Sequence, residues 1–172
     1  MSCITAYYDS PLGSMIMASD GEALTALWFE GTRRESSFAD KTTATTKLPV
    51  FEETRHWLDL YFAGEKPDFT PPLAPTGSPF QMRVWDILLT IPYGKTKSYG
   101  DVARRISPTM SAQAIGGAVG RNPIGIIIPC HRVIGADGSL TGYGGGLERK
   151  RWLLGLECKD SLHLCKESLH FL

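Results

Sequence analysis

Ile126-Ile127-Ile128-Pro129-Cys130-His131-Arg132-Val133 is the stretch on which the reading of this 172-residue chain turns. Three consecutive β-branched residues form a short apolar run that reads as a fully buried strand. A proline ends it, because proline cannot donate to a sheet ladder and fixes φ. A thiol, an imidazole and a guanidinium follow at once. A cysteine at the end of a rigid strand, with two potential cations beside it, is placed for thiolate chemistry. The competing account is that Cys130 fills the core as a small hydrophobe, as most single cysteines do. Its surroundings have to decide.

Working outward toward the C-terminus, Asp137-Gly138 is a turn. Thr141-Gly142-Tyr143-Gly144-Gly145-Gly146 reads as a flexible loop with one aromatic, close in sequence to the thiol. Residues 148–157 read as a last helix, with Trp152, Leu153 and Leu156 apolar and Glu157 at its end. Toward the N-terminus, Arg121-Asn122-Pro123 precedes the isoleucines. Before that come two short helices. Ser98 with Asp101 is a capping-box pattern opening a helix to about Ile106, which Ser107-Pro108 breaks. A second helix starts at Ser111 and ends near Gly120. Helix, short turn, helix is the layout whose second helix enters a DNA groove. That second helix is small-sided. Glycine inside a helix costs up to about 1 kcal/mol relative to alanine, so Gly116-Gly117 needs a reason. Close approach to another backbone is one, whether of DNA or of a neighbouring strand.

Further back, Ser78-Pro79-Phe80-Gln81 announces another helix, with serine as N-cap, proline at N1 and glutamine at N3. Phe80, Val84, Ile87, Leu88 and Ile91 give it an apolar stripe, and Pro92-Tyr93-Gly94 stops it. Pro67, Pro71, Pro72, Pro75 and Pro79 make the preceding segment an extended, stiff linker. Residues 49–63 suit an amphipathic helix through Val50, Phe51, Trp57, Leu58, Tyr61 and Phe62, ended by Gly64. The polar stretch 31–46 reads as a loop. Residues 4–8, 14–19 and 23–29 read as antiparallel strands separated by Pro11-Leu12-Gly13 and Asp20-Gly21. Nothing in residues 1–64 forms a titratable cluster, so that part reads as scaffold.

Composition fits this division. A hydrophobic fraction of 42% and a charged fraction of 21% are ordinary for a globular protein. No apolar run approaches the ~20 residues that span a bilayer, and no basic-then-apolar leader opens the chain. Cys3, Cys130, Cys158 and Cys165 have no CxxC spacing, which argues against a zinc site or a disulfide framework and for a reducing cytoplasm, with Cys158 and Cys165 ordinary thiols. The formal charge sums to zero, but residues 1–80 carry 6 Lys and Arg against 11 Asp and Glu, whereas residues 81–157 carry 10 against 5. An acidic part joined to a basic one suggests two domains, the second able to face phosphate. The expected division is 1–76 as scaffold with the proline linker, 77–158 as the chemical and DNA-binding domain, and 159–172 as a tail.

Ile128-Pro129-Cys130-His131-Arg132-Val133 resembles the active-site motif of the O6-alkylguanine-DNA alkyltransferases, the methylated-DNA–protein-cysteine S-methyltransferases. The resemblance covers about residues 78 to 157, with Arg121-Asn122-Pro123, the Gly142-to-Gly146 loop and Trp152-Leu153-Leu154 all in the family's order. It implies an α+β fold. In that fold a ribonuclease-H-like N-terminal domain, a three-stranded antiparallel sheet with a helix, is joined to a mostly helical domain with a helix-turn-helix and a short sheet. It implies direct-reversal repair: one irreversible transfer of a methyl or larger alkyl group from O6 of guanine, or O4 of thymine, in double-stranded DNA to Cys130. No cofactor is implied, and the sequence has no glycine-rich dinucleotide loop. By the same resemblance His131 takes the thiol proton through a water, Glu157 stabilises the imidazolium, and Asn122 braces the turn carrying the thiol. Tyr99 supports rotation of the flipped nucleotide and donates to its base. Tyr143 and Gly144 line the pocket beside Val133, and the helix carrying Ala112, Gln113 and Gly116 lies in the minor groove, with Arg121 near its end.

One position departs from the family. Many members carry an arginine where this chain has Gln113, which can wedge and hydrogen-bond but brings no charge. Some family members bind zinc in the N-terminal domain, but Cys3 and His56 are the only Cys or His available there in this chain, so no metal is expected. A monomer off the membrane is expected. The rival readings are a damage-binding protein without transfer, a thiol hydrolase using Cys130, His131 and Glu157, and a regulatory helix-turn-helix protein. Against the hydrolase stands the lack of an oxyanion-hole loop; against the regulator, the lack of a dimer helix.

Overall fold

The computed structural model describes residues 3–32, 42–44 and 47–158. The tail with Cys165, and most of the polar stretch 31–46, lie outside the described residues. Two compact units emerge. One is Met1–Thr76 with Pro123–Gly125; the other is Gly77–Asn122 with the described residues from Ile126 onward.

In the first unit β1 (Cys3–Ser10), β2 (Gly13–Ser19) and β3 (Leu24–Phe29) form an antiparallel meander, as the alternation and turn residues predict. The sheet is wider than the three strands expected. β4 (Thr42–Ala44) pairs parallel to β1, giving the order β3-β2-β1-β4. Its three residues sit in a polar segment with no alternation to betray them. The helix α1 (Pro49–Phe62) lays Val50, Phe51, Leu58 and Tyr61 across the sheet, against a core that includes Met15, Met17, Leu24, Leu27 and Phe29. Burying each such side chain fully is worth about 1.5–3 kcal/mol. Gly64 takes a φ of +85° at the end of α1, the left-handed position that glycine fills without strain.

Part of the proline-rich segment is more than a linker. Pro72 O accepts from Leu24 N, and Ala74 N donates to Leu24 O, so this extended stretch borders β3. The other visitor is Pro123–Gly125: Leu27 N donates to Pro123 O at 3.0 Å and Gly125 N to Leu27 O at 2.8 Å. Glycine suits position 125, because a Cβ there would meet the Trp28 ring and the Leu27 carbonyl at 3.1–3.2 Å, tighter than an ordinary contact.

The second unit is mostly helical. α2 (Pro79–Leu88) and α3 (Tyr99–Ile106) each open with a complete capping box, Ser78 with Gln81 and Ser98 with Asp101. α4 (Ala112–Gly120) is capped by the Ser111 hydroxyl, which accepts from Ala114 N. α2 packs against both α3 and α4, and Trp85 Nε1 donates to Ala118 O at 2.9 Å. Each such N-cap contributes about 1 kcal/mol. A two-stranded parallel sheet pairs β5 (Lys97–Ser98) with β6 (Val133–Ile134), and α5 (Leu147–Glu157) closes the unit. That small sheet links two parts of the site, because β6 continues directly from the turn that carries Cys130 and β5 runs directly into α3 at Tyr99.

The isoleucine run does not form the strand expected of it. Ile126–Ile128 are buried as expected, but they run through turns, and Ile126 has a φ of +66°. For a β-branched residue that conformation costs on the order of 1–3 kcal/mol. Burial of three isoleucines supplies the compensation. Cys130 accordingly does not end a strand; it begins a one-turn 3-10 helix, Cys130–Arg132.

Candidate active site

Cys130 is 3% exposed and sits at the bottom of that turn. Its backbone N–H donates to Ile128 O, and the same Ile128 carbonyl accepts from Asn122 Nδ2 at 2.8 Å. Asn122 is fully buried and follows the end of α4, so its side chain ties the turn before the thiol to the helix pair. Asn122→Ala leaves a buried carbonyl short of a donor. The expected result is about 1–3 kcal/mol of lost stability, read from urea unfolding, with slower alkyl transfer.

His131 is completely buried, and its Nε2 is hydrogen-bonded to Glu157 Oε2. An ionised carboxylate only accepts, so Nε2 carries the proton and Nδ1 is the basic nitrogen of the neutral ring. Burial pushes His131 below the usual imidazole range, against the upward pull of Glu157. A neutral imidazole is the form that can take a proton. Glu157 is 2% exposed and held by two further donors on Oε1, Arg132 Nε at 2.6 Å and Gly94 N at 3.1 Å. Arg132, read from sequence as a cation beside the thiol, instead points its guanidinium at Glu157 and at Ile91 O, 2.7 Å away.

Tyr99, Tyr143 and Lys150 all lie close enough to Cys130 for its charge to perturb their titration. The Tyr99 hydroxyl donates to Thr141 O at 2.9 Å. Desolvation raises Tyr99, and raises Tyr143 well above the usual phenol range, so both stay protonated donors. Val133 is buried in β6, and Gly144 is exposed in the loop.

On α4, Ile115, Ala118 and Val119 face the core, while Ala112, Gln113, Ala114, Gly117 and Gly120 are exposed. A Cβ on Gly117 would meet nothing within 4 Å, so packing inside the protein does not explain that glycine. Gly116 borders the Tyr99 ring, 3.9 Å from a would-be Cβ, which is ordinary contact. The exposed face of α4 therefore carries small side chains that contacts among the described residues do not require. Arg121, the C-cap of α4, is exposed near it.

The structure thus brings Cys130, His131, Glu157 and Asn122 together around one buried turn, with Tyr99 and Tyr143 near the thiol. Ala112, Gln113 and Arg121 are on the exposed surface of α4 and its end. The sequence reading missed three participants. Gly94 and Tyr93 appeared only as a helix stop, yet one donates to Glu157 and the other's ring lies 5.7 Å from the Arg132 guanidinium carbon. Lys150 was not singled out at all. One cysteine reading is corrected: Cys158 is disulfide-bonded, whereas Cys3 and Cys130 remain thiols.

Fold and site define a class: a helix-turn-helix protein with a buried thiol beside a carboxylate-held imidazole. Comparison with known proteins narrows it. Residues 79–159 match the family described as 6-O-methylguanine DNA methyltransferase, DNA binding domain, and residues 3–75 its ribonuclease-like domain. The methylated-DNA–protein-cysteine methyltransferase of Haemophilus influenzae is 47% identical over 152 residues, covering 88% of this chain and 84% of that protein. The Mycobacterium bovis protein of the same description is 49% identical over 150 residues, covering 87% of this chain and 88% of its own length. Among solved structures, Mycobacterium tuberculosis OGT in complex with DNA superposes with a TM-score of 0.82 at 46% identity, covering 90% of this chain and 92% of that one. The chain belongs to the 6-O-methylguanine DNA methyltransferase family. It is a DNA-repair enzyme that moves an alkyl group from DNA to a cysteine of its own. Among the described residues no helix is long and apolar enough to cross a membrane.

Proposed function

We propose that this enzyme repairs O6-alkylguanine, and secondarily O4-alkylthymine, in duplex DNA by a single transfer to Cys130, acting as a monomer from the minor groove. The observation that carries this reading is the buried turn that holds Cys130 next to His131, whose Nε2 is bonded to the Glu157 carboxylate at the end of α5. His131 Nδ1 takes the thiol proton through a water, and the Glu157 carboxylate stabilises the imidazolium that results. The thiolate sulfur bonds to the alkyl carbon as the carbon–O6 bond breaks. The electron pair stays on the guanine, which then takes up one proton. Thiol plus alkylguanine becomes thioether plus guanine, and nothing regenerates the thiol. A reducing cytoplasm keeps that thiol available until then.

The lesion has to leave the stack to reach a thiol this deeply buried. Tyr99, bordering α4 through Gly116 and within range of Cys130, is positioned to donate to the flipped base. Tyr143 and Gly144 wall the pocket, with Val133 behind. The small exposed face of α4 suits close approach to a groove floor, with Gln113 as the residue that enters the vacated place.

Intact-mass spectrometry after mixing with a duplex containing O6-methylguanine tests the whole reading. The expected result is one added methyl per chain, mapped to the peptide holding Cys130. An unmodified protein that still binds the lesion would make it a damage sensor. Gln113→Arg adds a cation that phosphates attract, so it is expected to tighten duplex binding by about 1 kcal/mol, roughly fivefold, at low salt. Fluorescence anisotropy reads this directly, and an unchanged affinity would show that Gln113 already compensates.

A further inference from the structure

Between the end of α2 and α3, within the second unit, lies a groove of about 380 Å³, inside the roughly 300–1,000 Å³ range of ligand sites. Ile87, Ile91 and Val102 give it an apolar lining. Its rim is cationic, with Lys97 from β5 and Arg105 from α3 both exposed. Arg104 borders it too, but pairs with Asp101, whose other oxygen accepts from Ser98 N at 3.0 Å. The one acid of the lining is therefore taken. Among the described residues no carboxylate pairs with Lys97 or Arg105. Arg105 Nη1 donates instead to the Thr90 hydroxyl, 2.7 Å away, and that hydroxyl donates to Ile87 O at 2.6 Å. A cation in the last turn of a helix complements its dipole. That accounts neither for the tether of Arg105 to α2's end nor for Lys97, which precedes the helix.

The groove is on the far side of α3 from Tyr99. At ~100° per residue, Asp101 and Arg105 stand about 200° and 240° round the helix from Tyr99. Tyr99 borders Gly116 of α4 and donates to Thr141 O. A duplex on the exposed face of α4 that reaches Tyr99 leaves Arg105 uncovered. The chemistry of the lining selects among occupants. Its apolar part rewards an apolar side chain, which a duplex with its bases stacked inside does not offer. Two cations on separate elements, one guanidinium already held by Thr90, match two carboxylates. A fatty acid brings one carboxylate. An acidic peptide brings several, together with the apolar anchor.

We propose that the α2–α3 groove is a docking site for an acidic peptide segment of a partner protein. An apolar side chain of that segment sits against Ile87, Ile91 and Val102, and its flanking carboxylates pair with Lys97 and Arg105. A partner held there leaves Tyr99 and the exposed face of α4 open, so docking and DNA engagement are compatible. The gain is one of effective concentration: a tethered enzyme meets the DNA that its partner occupies far more often than a free one does.

The test uses the full chain and a fluorescein-labelled peptide of sequence DELFEDI, read by fluorescence anisotropy. Saturable binding that weakens with added salt is expected, with about a tenfold loss in Lys97→Glu and in Arg105→Glu. Two control probes separate the contributions: NQLFQNI lacks the acids and DESSEDS lacks the anchor, and each is expected to bind roughly tenfold more weakly. Neither substituted residue belongs to the thiol site. Both variants are therefore expected to melt within a few degrees of wild type and to keep its transfer rate on O6-methylguanine duplex. With that duplex saturating the protein, affinity for DELFEDI is expected to stay within about twofold. No saturable binding of DELFEDI overturns the proposal, as does equal binding of DESSEDS or unchanged affinity in both variants. Displacement of the peptide by duplex, with both variants weakened for DNA, assigns the two cations to phosphate and overturns it as well.

Discussion

Cys130→Ala is expected to abolish methyl transfer completely while leaving affinity for alkylated duplex within a few-fold of wild type. Transfer ends because the acceptor atom is gone, and no other described group can replace it: Cys3, the other thiol, lies in the first unit on β1. Binding survives because the exposed face of α4 and Arg121 do not depend on the sulfur. The fold survives as well. Cys130 is 3% exposed, but removing one sulfur opens a void much smaller than a Leu→Ala cavity, costing about 1 kcal/mol. Intact mass reads the first half of the prediction and anisotropy the second. A variant that still accumulates a methyl would remove Cys130 from its role. A variant that loses both functions would mean that the turn from Ile126 to Arg132 depends on the thiol for its shape.

Glu157→Gln is expected to be the more damaging substitution overall. One carboxylate receives His131 Nε2, Arg132 Nε and Gly94 N, all in a nearly dry environment. A carboxamide cancels the negative charge and turns one acceptor into a donor that must face the His131 N–H or the Arg132 guanidinium. Leaving a buried guanidinium without its counter-charge costs about 3–5 kcal/mol, which for a protein of this size lowers Tm by roughly 10 °C. Transfer falls further, by about a hundredfold or more, because His131 loses the group that fixes its tautomer and stabilises its protonated form. The pH dependence also moves. Burial already depresses His131 and Glu157 works against that depression, so the variant's imidazole takes up a proton only at still lower pH. In the wild type, the unfolded chain binds a proton below about 6.5 that the folded chain refuses, so stability falls as pH drops through that window. Thermal melts across pH 5–8, with single-turnover rates over the same range, check both statements. Wild-type-like melts in the variant would mean that Glu157 is not the counter-charge of Arg132.

Much of this was legible in the sequence because the signals are local. Ser78 with Gln81 and Ser98 with Asp101 announce helix starts within four residues, and both boxes form. Cys130, His131 and Glu157 stand out as chemistry-bearing residues, and a helix brings the last of them 26 positions back to His131. The Ile126–Ile128 run misled because β-branching favours extended backbone. Tertiary burial overrode that preference and placed Ile126 in the left-handed region. β4 was invisible because its three residues lie in a polar stretch with no alternation, and only their parallel pairing with β1 defines them as a strand. Lys150 was missed for a related reason. A lysine between two arginines in a helix reads as solvated, and the carbonyls of Val133, Thr141 and Gly142 that bury it have no side-chain signature.

The visit of Pro123–Gly125 to the edge of β3 bears on how the chain reaches its native state. Residues 1–76 look separable by composition, yet the first unit lacks part of its hydrogen-bonded edge until Gly125 exists. During synthesis it therefore completes its sheet only after α2, α3 and α4 have been made, a pairing nearly a hundred positions apart along the chain. Such long-range closure slows folding and leaves the edge of β3 open meanwhile, the situation in which strands find partners on other chains. A fragment ending at Thr76 inherits that open edge permanently. Adding back the Asn122–Ile126 segment would be the way to close it.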